Sequence, residues 1–595
     1  MKLQVLDADY VMLNDKPIIR IFGKSESGKT YCVFVNNFYP YFYLKTDNIE
    51  ETIEELNKRF NGEVKNIEKV KKYLPFGYHK EKTEVLKITL RNPSKTPEIR
   101  EALPGEPYEA DILFKYRFFS DFGINGMGWI KVDGTPERTT TVKTKVCIRA
   151  NKITPIEKFE NVKFKYLAFD IEISTPTGVP DPAKDPISII SLSFYPSYRN
   201  LNTLVLVAKP VKKFNKDVIS FSTEKEMLTE FLKIIDEFDP DIITGYNLTN
   251  FDIPYLNERL KHLKLPRTLG RSIDKFISSR KISENRYRNS ILGRIIADPY
   301  LIIREMVKRG FFLGLKRYGL GDVSKYLLGE DKVDVSHSEI HKLWKGNEKE
   351  IEKLIRYARK DAELALKLLL ENKFLEKYIA ISRVSGLLLQ DALDSGEAGK
   401  VECLLLKEFN RRNFVIPCKP TGEEVKKREE EREKKGLKGA FVLDPKIGLH
   451  NQCVVYLDFT SMYPSIYIAY NICPTTLLFK KEEGIETIET PYGVKFVSTK
   501  IRKGIIPQIV KVLIEKRKKV KKMMKKEKNE DIRRMLDAKQ EALKRMANAF
   551  YGYTGYLRAR LYILDVANAI TSCGRNLIHL SKRIVEKETK YEVIY

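Results

Sequence analysis

Paired cysteines are missing from this 595-residue sequence. The seven cysteines, Cys32, Cys147, Cys403, Cys418, Cys453, Cys473 and Cys573, include no CxxC pair. Neither a local zinc knuckle nor a disulfide framework is supported, and a reducing compartment is the default. Long apolar runs are missing too. No stretch approaches the roughly 18 apolar residues of a spanning helix, and the N-terminal MKLQVLDADY lacks the apolar core of a secretion signal. A cytosolic protein with no membrane partner is expected. Acidic charge is outnumbered: 80 Asp and Glu face 107 Lys and Arg, a formal charge of +27. Heat-stable proteins also accumulate charge, but that accounts for its density and not its sign. A cationic surplus attracts polyanions through long-range attraction and counterion release, so nucleic acid is the natural partner, with an anionic membrane surface or plain basic solvation as the alternatives. Internal repeats and low-complexity tails are absent.

What is present is a multidomain globular composition, 43% hydrophobic and 31% charged. The length is too great for one core and suggests about four domains. Short strands with turns, such as Ile18–Phe22, Tyr31–Val35 and Tyr41–Tyr43, and a helix over Ile49–Arg59 fill the first 140 residues, with no catalytic cluster. An α/β pattern follows from Asn161 to about Leu370. A further sheet is expected to begin at Cys453–Leu457. The mixed charge run EEVKKREEEREKK, from Glu423, reads as a solvated helix face or loop. Two helical stretches, Pro507 to about Met524 and Asp531 to about Tyr551, are joined by a polar turn around Lys528, Asn529 and Glu530. They predict an antiparallel helical hairpin.

The chemistry concentrates in a few segments. In FKYLAFDIEIS, Asp170 and Glu172 stand two apart at the end of an apolar strand, so both carboxylates share a face. TGYNLTNFDIPYL supplies Asn247 and Asp252 just before a helix, and RYARKDAELALKLLL puts Tyr357 and Asp361 four apart on one helical face. Each acid alone reads as a surface residue, and Asn247 alone as a turn or cap. Together they bring four carboxylates from three elements. Two divalent ions roughly 3.5 to 4 Å apart could activate a water and neutralise a leaving 3'-oxygen, and hard oxygen ligands suit them.

These segments resemble, in order, the three exonuclease motifs of family B DNA polymerases: a DxE strand, an Nx(4)D segment and a YxxxD helix. The resemblance implies that Asp170, Glu172, Asp252 and Asp361 serve Mg²⁺, two ions per active site. Tyr357 would position water and Asn247 would hold the primer end. KRYGLGDVSKYLLGE, Lys316 to Glu330, is similar to the family's connector between the second and third motifs.

VVYLDFTSMYPSI resembles the family's DFxSLYPS motif, with Met462 for leucine. Asp458, at the end of an expected strand, would be a polymerase metal ligand, and Tyr463 a steric gate under the incoming sugar. KRMANAFYGYTGY resembles KxxxNSxYG, with Ala549 for serine. Lys544, Asn548 and Tyr551 fall on one helical stripe, and the family pattern makes Lys544 a triphosphate contact and candidate general acid. Arg517 and Lys521, four apart on the opposing helix, match positions that grip the triphosphate, whereas most neighbouring lysines read as solvated. LKGAFV, Leu437–Val442, departs from the family's YxGGxV at Leu437 and Ala440. Tyr10, Pro40 and Thr96 fall where archaeal members line a template-uracil pocket, with Thr96 where valine is frequent.

The resemblance implies an α/β and α+β multidomain chain, with an RNase H-like exonuclease domain and a partial polymerase palm bearing helical-hairpin fingers. The expected order is an N-terminal domain (1–140), exonuclease (141–372), connector (373–414), first palm part (415–503), fingers (504–551) and second palm part (552–595). In the family a GDTDS hairpin and a thumb come next. Their expected absence here favours a fragment to be joined or complemented; a split polymerase, an intein-separated piece and an incomplete sequence all stay open. Implied partners are primer-template DNA, dNTPs, a C-terminal segment carrying GDTDS and the thumb, and a sliding clamp reached through that C-terminus. The rival readings are an exonuclease alone and a DNA-binding or uracil-sensing scaffold.

Overall fold

The computed structural model describes every residue except 140, 177–178, 212–214, 334, 481–482 and 590, and the backbone alone at 337–338. The first two strands, Lys2–Leu13 and Lys16–Ser25, are joined by Asn14 and Asp15, both at positive φ (48° and 57°). Asn and Asp tolerate that geometry, and paired positive φ values match the twist of a two-residue hairpin. With Thr30–Val35, Val146–Ile156 and Trp129–Pro136 they close a five-stranded barrel. Val146–Ile156 carries the barrel past residue 140. Beside it, a four-stranded sheet orders Val64–Lys72, Thr83–Leu90, Tyr41–Lys45 and Glu106–Tyr108. Helix Ile49–Arg59 supplies Leu56 to that sheet's core with Phe42, Leu86 and Ile88.

The next unit is a six-stranded sheet in the order Val218–Ser220, Leu201–Val207, Ile187–Tyr198, Tyr166–Ile173, Ile242–Thr244, Ile295–Ala297. Three consecutive strands form an antiparallel meander, and the two after Tyr166–Ile173 run parallel to it. This is the RNase H-like arrangement the sequence leads one to expect. Alternation decides which face of Tyr166–Ile173 does what. Leu167, Phe169 and Ile171 enter a core with Phe231 and Leu256, while Asp170 and Glu172 take the opposite face. A buried ion cluster fastens this sheet to the barrel: Lys24 pairs with Asp241, and Arg271 reaches Asp239 and Asp241 at 2.8 Å each.

The remaining chain is mainly helical, around a core that includes Tyr467, Ile506, Phe550 and Ile570. The two predicted helices form over Ile505–Lys526 and Glu530–Thr554 and pack together. Asn529 starts the second by accepting hydrogen bonds from the backbone NH groups of Asp531 and Ile532. The charge run becomes the helix Gly422–Lys435, with Val425 its buried residue. One expectation fails: Cys453–Leu457 forms no strand. Val455 is 73% exposed and Tyr456 85%. A strand needs a neighbouring ladder for its NH and CO groups, and among the described residues none runs beside this segment.

Candidate active site

The cluster is built on Tyr166–Ile173, which lies inside its sheet with a neighbour on each side. Carboxylate oxygens of Asp170, Glu172 and Asp361 lie within 4.8 Å of one another. Asp361 comes from Glu348–Glu371, a helix started by an Asn347 capping box. Glu330 fixes that helix by accepting from Lys360 and Lys367 at 2.6 Å each. Asp252 begins the helix Asp252–His262, and its Oδ1 accepts a hydrogen bond from the NH of Ile171 at 3.1 Å, which joins it to the carboxylate strand. All four predicted acids therefore converge.

Their electrostatics are those of a site short of positive charge. Burial, then the neighbouring Glu172 and Asp252, holds Asp170 well above the usual carboxylate range. Burial, and next Asp361, pushes Glu172 up to about 8; burial pushes Asp252 up to about 7. Clustered buried carboxylates either keep protons or take a cation. An all-oxygen set of this kind suits a hard divalent ion such as Mg²⁺. Sequence reasoning missed Lys332, whose Nζ lies 2.5 Å from Asp361 Oδ2 and 3.3 Å from the Tyr357 hydroxyl. A lone lysine in a basic chain carries no signal for that role. Tyr357 is buried, and burial with Glu172 and Asp361 nearby raises its phenol, so the hydroxyl keeps its proton.

Asn247 stands in the loop before Asp252 at a φ of 61°. Its conformation is set by Asp298, another residue the sequence did not single out. Asp298 accepts from the NH groups of Asn247, Thr249 and Tyr300, each at 3.0 Å. The same loop meets the hairpin Ser278–Ser283/Arg286–Ser290, where Asn289 donates to the Thr249 carbonyl at 2.6 Å and Asn250 accepts from the NH of Tyr287.

The second set of predicted residues is partly assembled. Asp458 is exposed on the segment that forms no strand, which corrects its expected place at a strand end. Three residues on, Ser461 takes a φ of 53° and turns the chain into the helix Met462–Ala469. Tyr463 then stacks on Tyr551 with centroids 4.6 Å apart. Lys544 and Asn548 are exposed on the same helix as Tyr551, and Lys521 is exposed on the partner helix, where Arg517 donates to Gln540 at 3.2 Å. The Leu437–Val442 segment belongs to no helix or strand; Arg575 donates to the carbonyls of Lys438 and Gly439.

The third set lies near the N-terminus. Tyr10 packs edge-on against Phe114 at 5.4 Å, the Pro40 carbonyl accepts from the Leu90 NH at 2.8 Å, and Thr96 opens the helix Thr96–Ala102.

Comparison with known proteins matches residues 105–323 to the exonuclease domain of DNA polymerase family B and residues 387–594 to DNA polymerase family B itself. Tyr357 and Asp361 lie between the two matches and join the site through the fold. The chain is 33% identical to the DNA polymerase delta catalytic subunit of Dictyostelium discoideum, over 96% of this chain and 56% of that protein. It thus spans little more than half the length of that relative. It is similar to a solved structure of the family B DNA polymerase from Pyrobaculum calidifontis, with a TM-score of 0.79 and 28% identity over 100% of this chain and 73% of that one. The DNA polymerase of Thermococcus gorgonarius is 33% identical, over 99% of this chain and 70% of its own length. On the strength of these matches and the sheet that carries the carboxylates, the chain belongs to DNA polymerase family B.

Proposed function

We propose that this chain removes nucleotides from a DNA 3' end in the Asp170 site and contributes most of a DNA-templated polymerase centre. The observation that carries the first half is the gathering of Asp170, Glu172 and Asp361 oxygens within 4.8 Å. Asp170, Glu172, Asp252 and Asp361 would hold Mg²⁺, two ions in the full site. When bound, they supply Lewis-acid activation of a water and charge neutralisation at the leaving 3'-oxygen. The residues of the chain do the rest. Tyr357 keeps its hydroxyl protonated and orients the attacking water. Lys332 steadies both Tyr357 and Asp361. Asn247, on the loop set by Asp298, holds the frayed 3' end.

In the polymerase half, Asp458 serves the metals, Tyr463 excludes a 2'-hydroxyl, and Arg517, Lys521, Lys544, Asn548 and Tyr551 grip the incoming dNTP. The Tyr463–Tyr551 stack supports this reading, because it joins the turn after Asp458 to the Lys544 helix. The helices Ile505–Lys526 and Glu530–Thr554 then act as fingers on a palm that includes residues 415–503. Polymerisation requires a further segment that supplies a second carboxylate and a strand beside Val454–Leu457, whose exposed side chains favour such a partner. Template-uracil sensing by Tyr10, Pro40 and Thr96 belongs to the same reading. Primer extension tests it. The chain alone is expected to extend a matched primer weakly or not at all, and addition of a C-terminal family segment with GDTDS and thumb restores extension. Asp458→Ala in the joined protein abolishes extension and spares excision. Robust extension by the isolated chain that survives Asp458→Ala would contradict the placement of the polymerase centre.

A further inference from the structure

Glu397 opens the helix Glu397–Arg411, and its Oε1 collects cations from three parts of the chain. Arg309, just past the helix Pro299–Lys308 of the exonuclease unit, reaches it at 2.8 Å; Arg545, on Glu530–Thr554, at 3.0 Å; and Lys400, one turn along, at 3.3 Å. Glu305 shares Arg309 at 2.8 Å. Two carboxylates thus serve three cations, so Glu397 keeps Arg309 and Lys400 beside it when Arg545 leaves.

Elsewhere Glu530–Thr554 packs along the helix Phe374–Ser385 and reaches the exonuclease side at Phe159. Lys373 faces Asp531 at 3.8 Å, and the Lys539 ammonium lies 3.9 Å above the Phe159 ring. The packing between them uses small side chains, Ala538 and Ala542, in one core with Ala380 and Ile381. Helices packed through such surfaces move by small sliding displacements. Arg545 is next to Lys544 and three residues before Asn548, on the helix that ends in the Tyr551 stack.

We propose that Glu397 is a positioning residue, the catch of an electrostatic latch that sets the Lys544–Asn548–Tyr551 stripe against the exonuclease unit and is released when the stripe captures a triphosphate. The consequence for nucleotide capture rests on the dNTP-binding reading above; the latch itself rests on the ion contacts. Because coupling is reciprocal, a weaker catch makes triphosphate capture easier.

The test uses the whole chain as wild type, Glu397→Gln, Arg545→Met, the double variant, and Glu305→Gln, which leaves Arg545 in place. Amide exchange over residues 538–550 is expected to speed up about fivefold in each single latch variant and no further in the double, as coupled partners require. Glu305→Gln stays at the wild-type rate. Titration with Mg·dATP is expected to show about threefold tighter binding in Glu397→Gln, while excision of single-stranded DNA is unchanged. Unchanged exchange in Glu397→Gln, or additive effects in the double variant, would overturn the latch. Faster exchange with unchanged Mg·dATP affinity would overturn its link to nucleotide capture. A wild type that binds no Mg·dATP would refute the dNTP reading, and the exchange comparison would still decide the latch.

Discussion

Asp7 shows what a single buried acid does to this protein. Its Oδ1 accepts from the NH of Ala8 and its Oδ2 from the NH of Gly293, each at 2.8 Å, so it ties the barrel to the exonuclease unit. Burial pushes its carboxyl up to about 6. The folded chain therefore keeps a proton that the unfolded chain has released, and stability falls as pH rises from about 4 to about 6, by roughly 3 kcal/mol from this group. Asp7→Asn removes that dependence. Denaturation at pH 4 and pH 7 should show the variant gaining on wild type at the higher pH, and an equal difference at both would contradict the assignment. Lys332→Met is expected to slow excision by about 10- to 100-fold, the usual loss when a group that orients metal ligands is removed. Single-turnover excision checks it, and a wild-type rate would show that Tyr357 and Asp361 hold their places unaided. Neither residue was legible in the sequence, because the contact that matters for each, Gly293 for Asp7 and Asp361 for Lys332, is made only by the fold. The carboxylates were legible, because a period of two or four placed them on faces of elements whose apolar sides were plain.

Among the elements, local signals gave the helices well. Asn529 and the apolar spacing of Leu536, Leu543, Met546 and Phe550 define Glu530–Thr554 without help from the rest of the fold. Cys453–Leu457 was over-read for a physical reason: an apolar run specifies a strand only when another strand offers it a ladder. Val455→Asp separates the two demands. At 73% exposure the substitution should leave the melting temperature of this chain almost unchanged, within the roughly 0.5 kcal/mol of ordinary surface changes. The same substitution should impair complementation by the C-terminal segment, where the residue would be enclosed. A marked loss of stability in the chain alone would show that the segment is already packed.

For the whole molecule, the formal charge of +27 favours a polyanionic partner, and in the proposed reading the carboxylate site acts on DNA drawn there. Both the barrel and the helical half are fastened to the exonuclease unit, the barrel through Lys24, Asp241 and Arg271 and the helical half through Glu397. Excision should need nothing beyond this chain, DNA and Mg²⁺, because all four proposed metal ligands lie between Asp170 and Asp361. The most direct measurement is the shortening of 5'-labelled single-stranded DNA by wild type, Asp170→Ala, Asp252→Ala and Asp361→Ala, with Mg²⁺ and with a chelator. Stepwise loss from the 3' end by wild type with Mg²⁺, nearly abolished in each variant and by chelation, is the predicted result. Wild-type rates in the three variants would contradict it.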